Sequence, residues 1–457
     1  MMLSLPYLRY ADIFAMMVVA SLGVNATMIP SSDYTIIPYP FFGGASPDTA
    51  GNVGAGPGDF LEAIDLDMLA QQGWMLDEQL YPKPSDYDFH QYRHGLRNFD
   101  AVLSAYRTHF TTVARHVSHG RIPVSLGGDH SLATSSLLAT LLIRTSKALI
   151  AHEIPVNDYV DRSRISDLLA QEDFTLLGWY IDSLVDRGHL RLHDLKLFLN
   201  SFYVFWADAH YDLNTPMFSY QGSQKQEAIY QPSVYLKFTS PSPTGHVHGM
   251  SAAFLSGCGA LPFTHIYSRY CVLEPNHLMY FGVRDPDDDE CRVVQQFHIP
   301  HYTMHDLETQ GWSSRVAQAY IHCQEECASH SDYPLKIYWQ CDVDVLDATY
   351  VPITGTPVGT GSLRNQAQGP SINQFCRAVW GALHHPNVVG VDIAELAYNL
   401  DREADARTVK SGLIVFMSML ACSYQDASEL IDPSWWHGHY VCGTLSDFWA
   451  EFSHDIS

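Results

Sequence analysis

Six short apolar runs recur along the chain, rich in β-branched and aromatic residues, and they predict strands buried on both faces. They span residues 35–41, 122–126, 203–207, 279–283, 337–341 and 388–393. Residues 60–70 and 99–117 instead repeat apolar positions every three to four residues, which predicts helices; a Gly-rich loop over 43–58 precedes the first of them. This alternation predicts an α/β fold: a three-layer αβα domain with a central, mainly parallel sheet.

Two segments interrupt the alternation, and a third precedes it. Residues 143–200 have helical periodicity and predict a helical insertion, whereas 217–243, rich in Ser, Pro, Gln and Tyr, predicts a long loop. We therefore expect one domain over 35–457 with these two insertions. Residues 1–34 form an extension with an apolar stretch over 13–24, which is too short to span a membrane. A cleaved or organelle-targeting segment and an unremarkable extension both fit it.

Composition narrows the function further. An apolar content of 46% over 457 residues is typical of a globular protein with a sizeable core, and a net charge of −24 argues against nucleic-acid binding. The nine cysteines are odd in number and show no framework spacing, which favours reduced, buried thiols. Cys323 and Cys327, four apart on a predicted helix, lack a second pair and favour a structural role over zinc binding.

Acidic and histidine residues follow three of the predicted strands. They occur in Gly127-Gly128-Asp129-His130-Ser131, in Asp208-Ala209-His210-Tyr211-Asp212 and in Asp342-Val343-Asp344. The carboxyl ends of parallel strands meet at one edge, where open α/β sheets place their sites. Four carboxylates crowded there would repel one another unless cations lay between them. Two divalent cations held by carboxylates and imidazoles fit Mn²⁺ or a similar metal.

These three motifs, in this order, resemble those of the ureohydrolase superfamily and, within it, the arginases. The resemblance covers roughly residues 35–420 apart from the two insertions, and it implies a binuclear centre with two Mn²⁺ per chain. The implied ligands of the first ion are His130, Asp208, Asp212 and Asp342. Those of the second ion are Asp208, His210, Asp342 and Asp344.

The resemblance also implies an activity: Mn-dependent hydrolysis of L-arginine to L-ornithine and urea by a metal-bridging hydroxide. Asp212 is expected to orient that hydroxide, and His248, in Gly245-His246-Val247-His248-Gly249, to shuttle protons. Glu395 is expected to pair with the substrate guanidinium, with Thr356 adding a contact beside it. Proton transfer near neutral pH suits histidine, and a carboxylate suits the planar donors of a guanidinium group.

Substrate choice depends on the residues around this centre. By the resemblance, Asn214 would hold the substrate α-carboxylate and Asp287 its α-amino group, with Glu290 as a further carboxylate. Thr244-Gly245-His246 stands where arginases carry Ser-Gly-Asn. Thr244 keeps the hydroxyl, but His246 places a larger ring, which could carry a charge, near the expected carboxylate.

Several alternatives stay open. The substrate could instead be agmatine or a guanidino acid, although Asn214 and Asp287 argue against agmatine, which has no carboxylate. A zinc deacetylase on the same topology lacks the full six-ligand set, and an inactive arginase-like protein is a third alternative. The resemblance further implies a small-molecule substrate, no nucleic-acid or membrane partner, a homotrimer and a cytoplasmic location, with secretion or organelle targeting possible from the apolar N-terminal segment.

Overall fold

The computed structural model of the protein describes most of the chain between residues 33 and 419. The described residues are 33–45, 54, 56–62, 64, 66–71, 73–83, 86–88, 90–216, 240–258, 266–352, 368–379, 382–397, 408, 411, 412, 415, 416, 418 and 419. The predictions for the N-terminal extension, for residues 217–239 and for Thr356 lie outside them.

Eight parallel strands form the main sheet, in the spatial order β10-β9-β6-β11-β12-β5-β1-β2. Their bounds are β1 Tyr34–Tyr39, β2 Met75–Leu76, β5 Ile122–Gly127, β6 Phe202–Ala207, β9 Leu278–Phe281, β10 His301–Tyr302, β11 Lys336–Asp342 and β12 Val388–Ala394. Four further two-residue strands form separate pairs: β3 Tyr92–Arg93 with β4 Leu96–Arg97, and β7 Thr215–Pro216 with β8 Pro241–Ser242. All six predicted strands are confirmed, and the predicted parallel α/β class with them.

The helices lie along the chain between the strands. They are α1 Gly56–Glu62, α2 Leu66–Gln71, α3 Phe99–Ser118, α4 Leu132–Ile150, α5 Arg162–Ala170, α6 Phe174–Asp186, α7 Leu192–Leu199, α8 Ser251–Leu255, α9 Asp288–Gln296, α10 Met304–Gln310, α11 Trp312–His330 and α12 Ile372–Val379. The prediction of one helix over 60–70 was wrong. Buried Ile64 lies between α1 and α2, and its N–H donates to Leu61 O, three residues back, in a turn that interrupts the helical ladder. The preceding loop is also shorter than predicted, because α1 already begins at Gly56.

Two apolar clusters lie against the two faces of the sheet. Along β6, Val204 and Trp206 belong to one cluster, while Tyr203, Phe205 and Ala207 belong to the other. Successive side chains of a strand point to opposite faces, so this alternation reflects helices packed on both sides. The sheet is therefore the middle of three layers, as the continuous apolar character of its strands predicts.

The segment from 143 to 200 is helical, from the second half of α4 through α5, α6 and α7. Asp161 and Asp173 cap the amino ends of α5 and α6 by accepting backbone N–H groups. Seven cysteines fall within the described residues, all of them free thiols and all but Cys291 buried. Cys323 and Cys327 lie on α11, as predicted. Within the described residues, no helix is long and apolar enough to cross a membrane.

Candidate metal and catalytic site

The carboxyl ends of four adjacent central strands carry the acidic and histidine motifs. In the order β6, β11, β12, β5, these strands end next to Asp208, Asp342, Glu395 and His130 respectively. The turn after β5 needs a glycine, because a Cβ on Gly128 would lie 1.8 Å from the carbonyl oxygen of Phe41. Residues more than 260 positions apart in sequence are in contact here: the N–H of His130 donates to Glu395 Oε1 at 3.0 Å.

His130 lies at the centre of a first group of ligands. Its Nδ1 is 2.9 Å from Asp212 Oδ2, 3.1 Å from Asp208 Oδ2 and 3.1 Å from Asp342 Oδ2. Two ligand atoms bound at right angles to one ion, each about 2.1 Å from it, would be separated by about 3 Å. His130, Asp208 and Asp212 can thus present ligand atoms that all lie within 4.8 Å of one another, a spacing that suits a common cation, and Asp342 Oδ2 lies beside His130.

A second group lies around His210 and shares Asp208 with the first. His210 Nδ1 is 3.0 Å from Asp344 Oδ2 and 3.4 Å from Asp208 Oδ1. Asp208 thus presents Oδ2 to the first group and Oδ1 to the second, which is the arrangement a bridging carboxylate requires. Asp342 presents Oδ2 to the first group, while its Oδ1 accepts the N–H of Asp344 at 2.8 Å.

The chemistry of this donor set fits divalent cations. Both ring nitrogens of His130 and the Oδ2 atom of Asp212 are buried without a hydrogen-bond partner among the described residues. Burial, followed by the charge of Asp208, raises the pKa of Asp212 to about 6, and burial with the charges of Asp344 and Asp208 raises that of Asp342. Such repulsion among buried carboxylates is relieved by positive charge placed between them. A fit to metal is thus supported both by the orphaned atoms and by the electrostatics.

Two buried side chains that the sequence motifs did not single out hold the ligands in place. Trp206, two residues before Asp208 on β6, donates its Nε1–H to Asp208 Oδ2 at 2.9 Å. Arg284 donates to the carbonyls of Asp344, Val345 and Leu346 at 2.6–3.0 Å, and so fixes the loop after β11. Ligand orientation by outer residues of this kind is general in metal sites. The spacing of two residues between Trp206 and Asp208 could have predicted that their side chains lie on the same face of the strand. Nothing in the sequence indicated the contacts of Arg284.

Asp129 forms a second buried network beside the ligands. It accepts the N–H of Gly44 at 2.7 Å and the hydroxyl of Ser131, and Ser131 contacts the hydroxyl of Tyr39 at 3.1 Å. Burial and the charge of Glu395 raise the pKa of Asp129 to about 6. Asp129 therefore fixes the loop that follows β1 against the His130 turn.

The two predicted catalytic side chains outside the ligand groups face each other. His248 Nδ1 lies 3.4 Å from Glu395 Oε1, and the His248 side chain is 12% exposed. Burial disfavours the charged imidazole, but the hydrogen bond and charge of Glu395 outweigh it and raise the pKa of His248. Glu395 and Asp212 both have left-handed backbone conformations, with φ of 59° and 51°. Such conformations in non-glycine residues carry strain and cluster at functional sites.

The residues predicted to bind the α-amino acid group are also in contact. Asn214 Nδ2 donates to Asp287 Oδ2 at 3.1 Å, and Asn214 Oδ1 accepts the Ser240 hydroxyl at 3.2 Å. Glu290 lies beneath them: its two oxygens accept the N–H groups of Leu213 and Asp287 at 2.9 and 3.0 Å, and the side chain is buried. This placement favours a positioning role for Glu290 in place of the expected substrate contact.

Thr244 and His246 lie on the loop that leads to His248. The Thr244 hydroxyl contacts Ser242 Oγ at 3.0 Å, and its carbonyl accepts Arg97 Nε–H at 2.7 Å. Burial, then the charges of His248 and Arg97, lower the pKa of His246 to about 4, so its ring is neutral near pH 7. The structure thus gives His246 a neutral ring, where the sequence left a charged one open. Asn214 is tied to the same loop, because its N–H donates to the carbonyl of Gly249 at 3.1 Å.

The sequence and the fold of this chain are similar to those of known arginases. The chain is 24% identical over 384 residues to the arginase of Coccidioides posadasii (strain C735), covering 81% of this chain and 89% of the relative. The crystal structure of Entamoeba histolytica arginase in complex with L-ornithine matches with a TM-score of 0.56 and 21% identity, covering 86% of this chain and 99% of that one. Formimidoylglutamase from Bacillus subtilis has the same fold, with a TM-score of 0.50 and 14% identity over 85% of this chain and 87% of its own.

A family model covers the second half of the site. The arginase family model matches residues 186–422, slightly more than half of the chain. His130 precedes that range, yet the structure places it among the Asp208, Asp212 and Asp342 carboxylates. From its fold, its sequence relatives and this match, the chain belongs to the arginase family and is a ureohydrolase-type hydrolase.

Proposed function

We propose that this protein is an arginase that hydrolyses L-arginine to L-ornithine and urea with two bound Mn²⁺ ions. The observation that carries the proposal is the contact of Asp287 with Asn214, which lies two residues after the ligand Asp212. A guanidino substrate with an α-amino and an α-carboxylate group needs recognition at both ends. The site offers acidic and histidine groups at one end and an amide–carboxylate pair at the other.

Six side chains would hold the two ions. One ion would be held by His130, Asp208, Asp212 and Asp342, and the other by Asp208, His210, Asp342 and Asp344. Bound divalent ions neutralise the carboxylates and acidify coordinated water at neutral pH. Mixed carboxylate and imidazole ligands suit Mn²⁺.

The remaining groups of the chain would bind substrate and move protons. Glu395, held on the His130 turn, would accept hydrogen bonds from the planar guanidinium group. Asp212 Oδ2, which has no other hydrogen-bond donor among the described residues, would orient the attacking water. As the bond from the guanidinium carbon to the δ-nitrogen breaks, His248 would deliver a proton to the leaving amine. Its hydrogen bond and charge interaction with Glu395 raise the pKa of the ring, which favours the form that can donate a proton.

Recognition of the amino-acid end supports arginine over agmatine. Asp287 offers a carboxylate to an ammonium group, and Asn214 an amide to a carboxylate. Their mutual contact at 3.1 Å holds both side chains in place before substrate binds. Glu290 and the Gly249 carbonyl fix the backbone on either side. Agmatine lacks the carboxylate and would leave Asn214 without its ligand, and such unpaired polar groups are costly in binding.

A second candidate function is hydrolysis of an acid that carries a formimidoyl group, as the name of the structural relative formimidoylglutamase indicates for that protein. The observation in its favour is His246, whose neutral ring replaces the amide that arginases carry on this loop. A ring of this size reduces the space beside the Asn214–Asp287 pair and alters the hydrogen bonds offered to a substrate carboxylate. The same metal ligands would serve this reaction, but the group cleaved would be a formimidoyl group, released as formamide in place of urea.

The deciding experiment is a product assay on the Mn²⁺-loaded protein with L-arginine, agmatine and N-formimidoyl-L-glutamate side by side. We expect urea and ornithine from L-arginine and at least about 100-fold lower kcat/KM for agmatine, which corresponds to roughly 3 kcal/mol. Formamide released from the third substrate, with L-arginine inert, would replace arginase by the second candidate. Turnover of none of the three by protein that binds two Mn²⁺ would refute both.

Two variants separate the roles within the site. Glu395→Gln should keep both ions but lower kcat/KM for L-arginine by about a thousandfold or more, because the charged partner of the guanidinium is lost. Its matched control is Glu308→Gln, an exposed residue on α10. His246→Asn restores the amide of the arginases and should change KM for L-arginine while leaving Mn²⁺ binding unaltered. Loss of Mn²⁺ from Glu395→Gln in proportion to its loss of activity would contradict the assignment of Glu395 to substrate binding.

A further inference from the structure

A large cavity opens at the edge of the sheet opposite the metal ligands. It has a volume of about 950 Å³. It lies beside Lys336, the first residue of β11, whereas Asp342, a candidate ligand, is the last residue of the same strand. We call it the amino-edge cavity, and its lining includes Arg144, Lys147, Asp194, Phe198, Tyr333 and Lys336.

Arg144, on α4, is the unusual member of this lining. Within the described part of the chain it forms no ion pair, and its buried Nε has no hydrogen-bond partner. Burial lowers the pKa of Arg144 to about 10, with the Tyr338 hydroxyl opposing that shift. The side chain is only partly buried, and part of it lines the cavity. Its planar donors are therefore available to a ligand that enters the cavity.

Two lysines add to the positive charge around Arg144. Lys147, one turn further along α4, is half-buried and donates to the carbonyl of Val117 at 3.0 Å. Lys336 lies over the rings of Phe198 and Phe202 at 4.9 and 5.0 Å, and it donates to Ser201 Oγ at 3.0 Å. All three cations line the same cavity, and burial, then the charge of Arg144, lowers the pKa of both lysines.

Three acidic residues also line the cavity, and the charge of one of them, Glu153, acts on Lys336. Asp194 accepts two hydrogen bonds from Arg191, at 2.6 and 2.8 Å, so its charge is already matched. Glu153 and Asp332 are exposed at the rim. The surface of a chain with a net charge of −24 is otherwise acidic, so a cationic floor inside a cavity is a local exception.

From this juxtaposition we propose that the amino-edge cavity is a binding site for a small anionic metabolite, whose oxyanion group pairs with the Arg144 guanidinium between Lys147 and Lys336. Guanidinium groups recognise phosphate and carboxylate through paired hydrogen bonds, and lysines add point charges. A volume of about 950 Å³ holds a metabolite-sized molecule and not merely an isolated ion. Phosphate esters and dicarboxylates share the required chemistry. The site does not depend on which substrate the catalytic centre takes.

The test measures binding of inorganic phosphate and of succinate to the full-length protein by calorimetry and by thermal unfolding, at constant ionic strength set with sodium chloride. We expect at least one anion to raise Tm by a few degrees. Arg144→Met should weaken its binding by at least about tenfold, the value of one charge-assisted hydrogen bond. Arg164→Gln, an exposed residue on α5, is the matched control and should bind as the wild type does.

Arg144→Met also tests the premise in anion-free buffer. Removing a partly buried charge that has no ion pair among the described residues should leave Tm unchanged or raise it. A sharp fall in Tm, or failure to fold, would mean that Arg144 has a structural partner, and would overturn the proposal. Lys147→Met gives an independent reading and should also weaken anion binding. If the anions change Tm equally in the wild type and in both variants, the change is a general salt effect and the site is refuted. A change in the wild type with phosphate alone or with succinate alone identifies the class of ligand.

Discussion

Replacing Asp212 by Asn should have opposite effects on stability with and without Mn²⁺. Asp212 is buried beside Asp208, and its Oδ2 lies 2.9 Å from His130 Nδ1, whose opposing effect on the pKa of Asp212 is smaller than that of burial and Asp208. In chelator-treated protein this carboxylate is a buried charge next to another carboxylate. With metal bound it is a ligand. The same substitution therefore removes repulsion in one state and a metal–ligand bond in the other.

The magnitude follows from the pKa of Asp212, which is raised from 3.8 to about 6. Because the folded pKa lies above the unfolded one, ionisation costs the folded state. This cost is absent below pH about 4, grows as the pH rises through both values, and is complete above pH about 6. The difference corresponds to about 3 kcal/mol at most. We expect Asp212→Asn with chelator to gain about 1–3 kcal/mol at pH 7.5 and nothing at pH 4.

With saturating Mn²⁺ the order should reverse. Bound metal at a thousand times its Kd stabilises a protein by about 4 kcal/mol, and a hundredfold loss of affinity removes roughly 3 kcal/mol of that. The assay is urea unfolding at pH 4 and pH 7.5, with EDTA and with Mn²⁺, together with metal content by mass spectrometry. Asp158→Asn, an exposed control, should show neither effect. If Asp212→Asn is the less stable protein at pH 7.5 with EDTA, the repulsion argument is wrong.

Two further substitutions test the residues that hold the ligands. Trp206→Phe removes the 2.9 Å hydrogen bond to Asp208 and should lower Mn²⁺ affinity about 10- to 100-fold in a metal titration. The control is Trp339→Phe, which changes a buried tryptophan on the neighbouring strand β11. Equal Mn²⁺ affinities in the two variants would contradict the role of Trp206. Arg284→Met leaves three carbonyls in the loop after β11 without their donor and should lower the free energy of unfolding by about 3 kcal/mol. Arg292→Met, at an exposed position on α9, should lower it by less than about 1 kcal/mol. Equal losses would mean that the Arg284 contacts contribute little.

The sequence by itself determined the strands and the edge at which they place their chemistry. The runs before Gly127, Asp208 and Asp342 are apolar on both faces, and such runs form buried parallel strands whatever their neighbours. Polar residues directly after them must then lie at the carboxyl edge. For the same reason Trp206 was within reach of prediction, since residues two apart on a strand share a face.

The strand order and the break between α1 and α2 depend on contacts between distant parts of the chain, which the local pattern of apolar and polar residues does not predict. The approach of Glu395 to the His130 turn depends on β12 lying beside β5, and strand order is set by how whole helices pack across the sheet. The break between α1 and α2 likewise goes against a periodicity that predicted one continuous helix.

Charge states were decided only by the tertiary structure. A sequence shows that His246 is a histidine, but its pKa depends on how much water the fold removes and on which charges lie nearby. Arg144 looks like any arginine on an amphipathic helix until the fold places it, partly buried and without an ion pair among the described residues, in one cavity with Lys147 and Lys336. The sequence identifies which residues are ionisable, whereas the free energy of ionising each of them depends on the burial and the neighbouring charges that the folded structure provides.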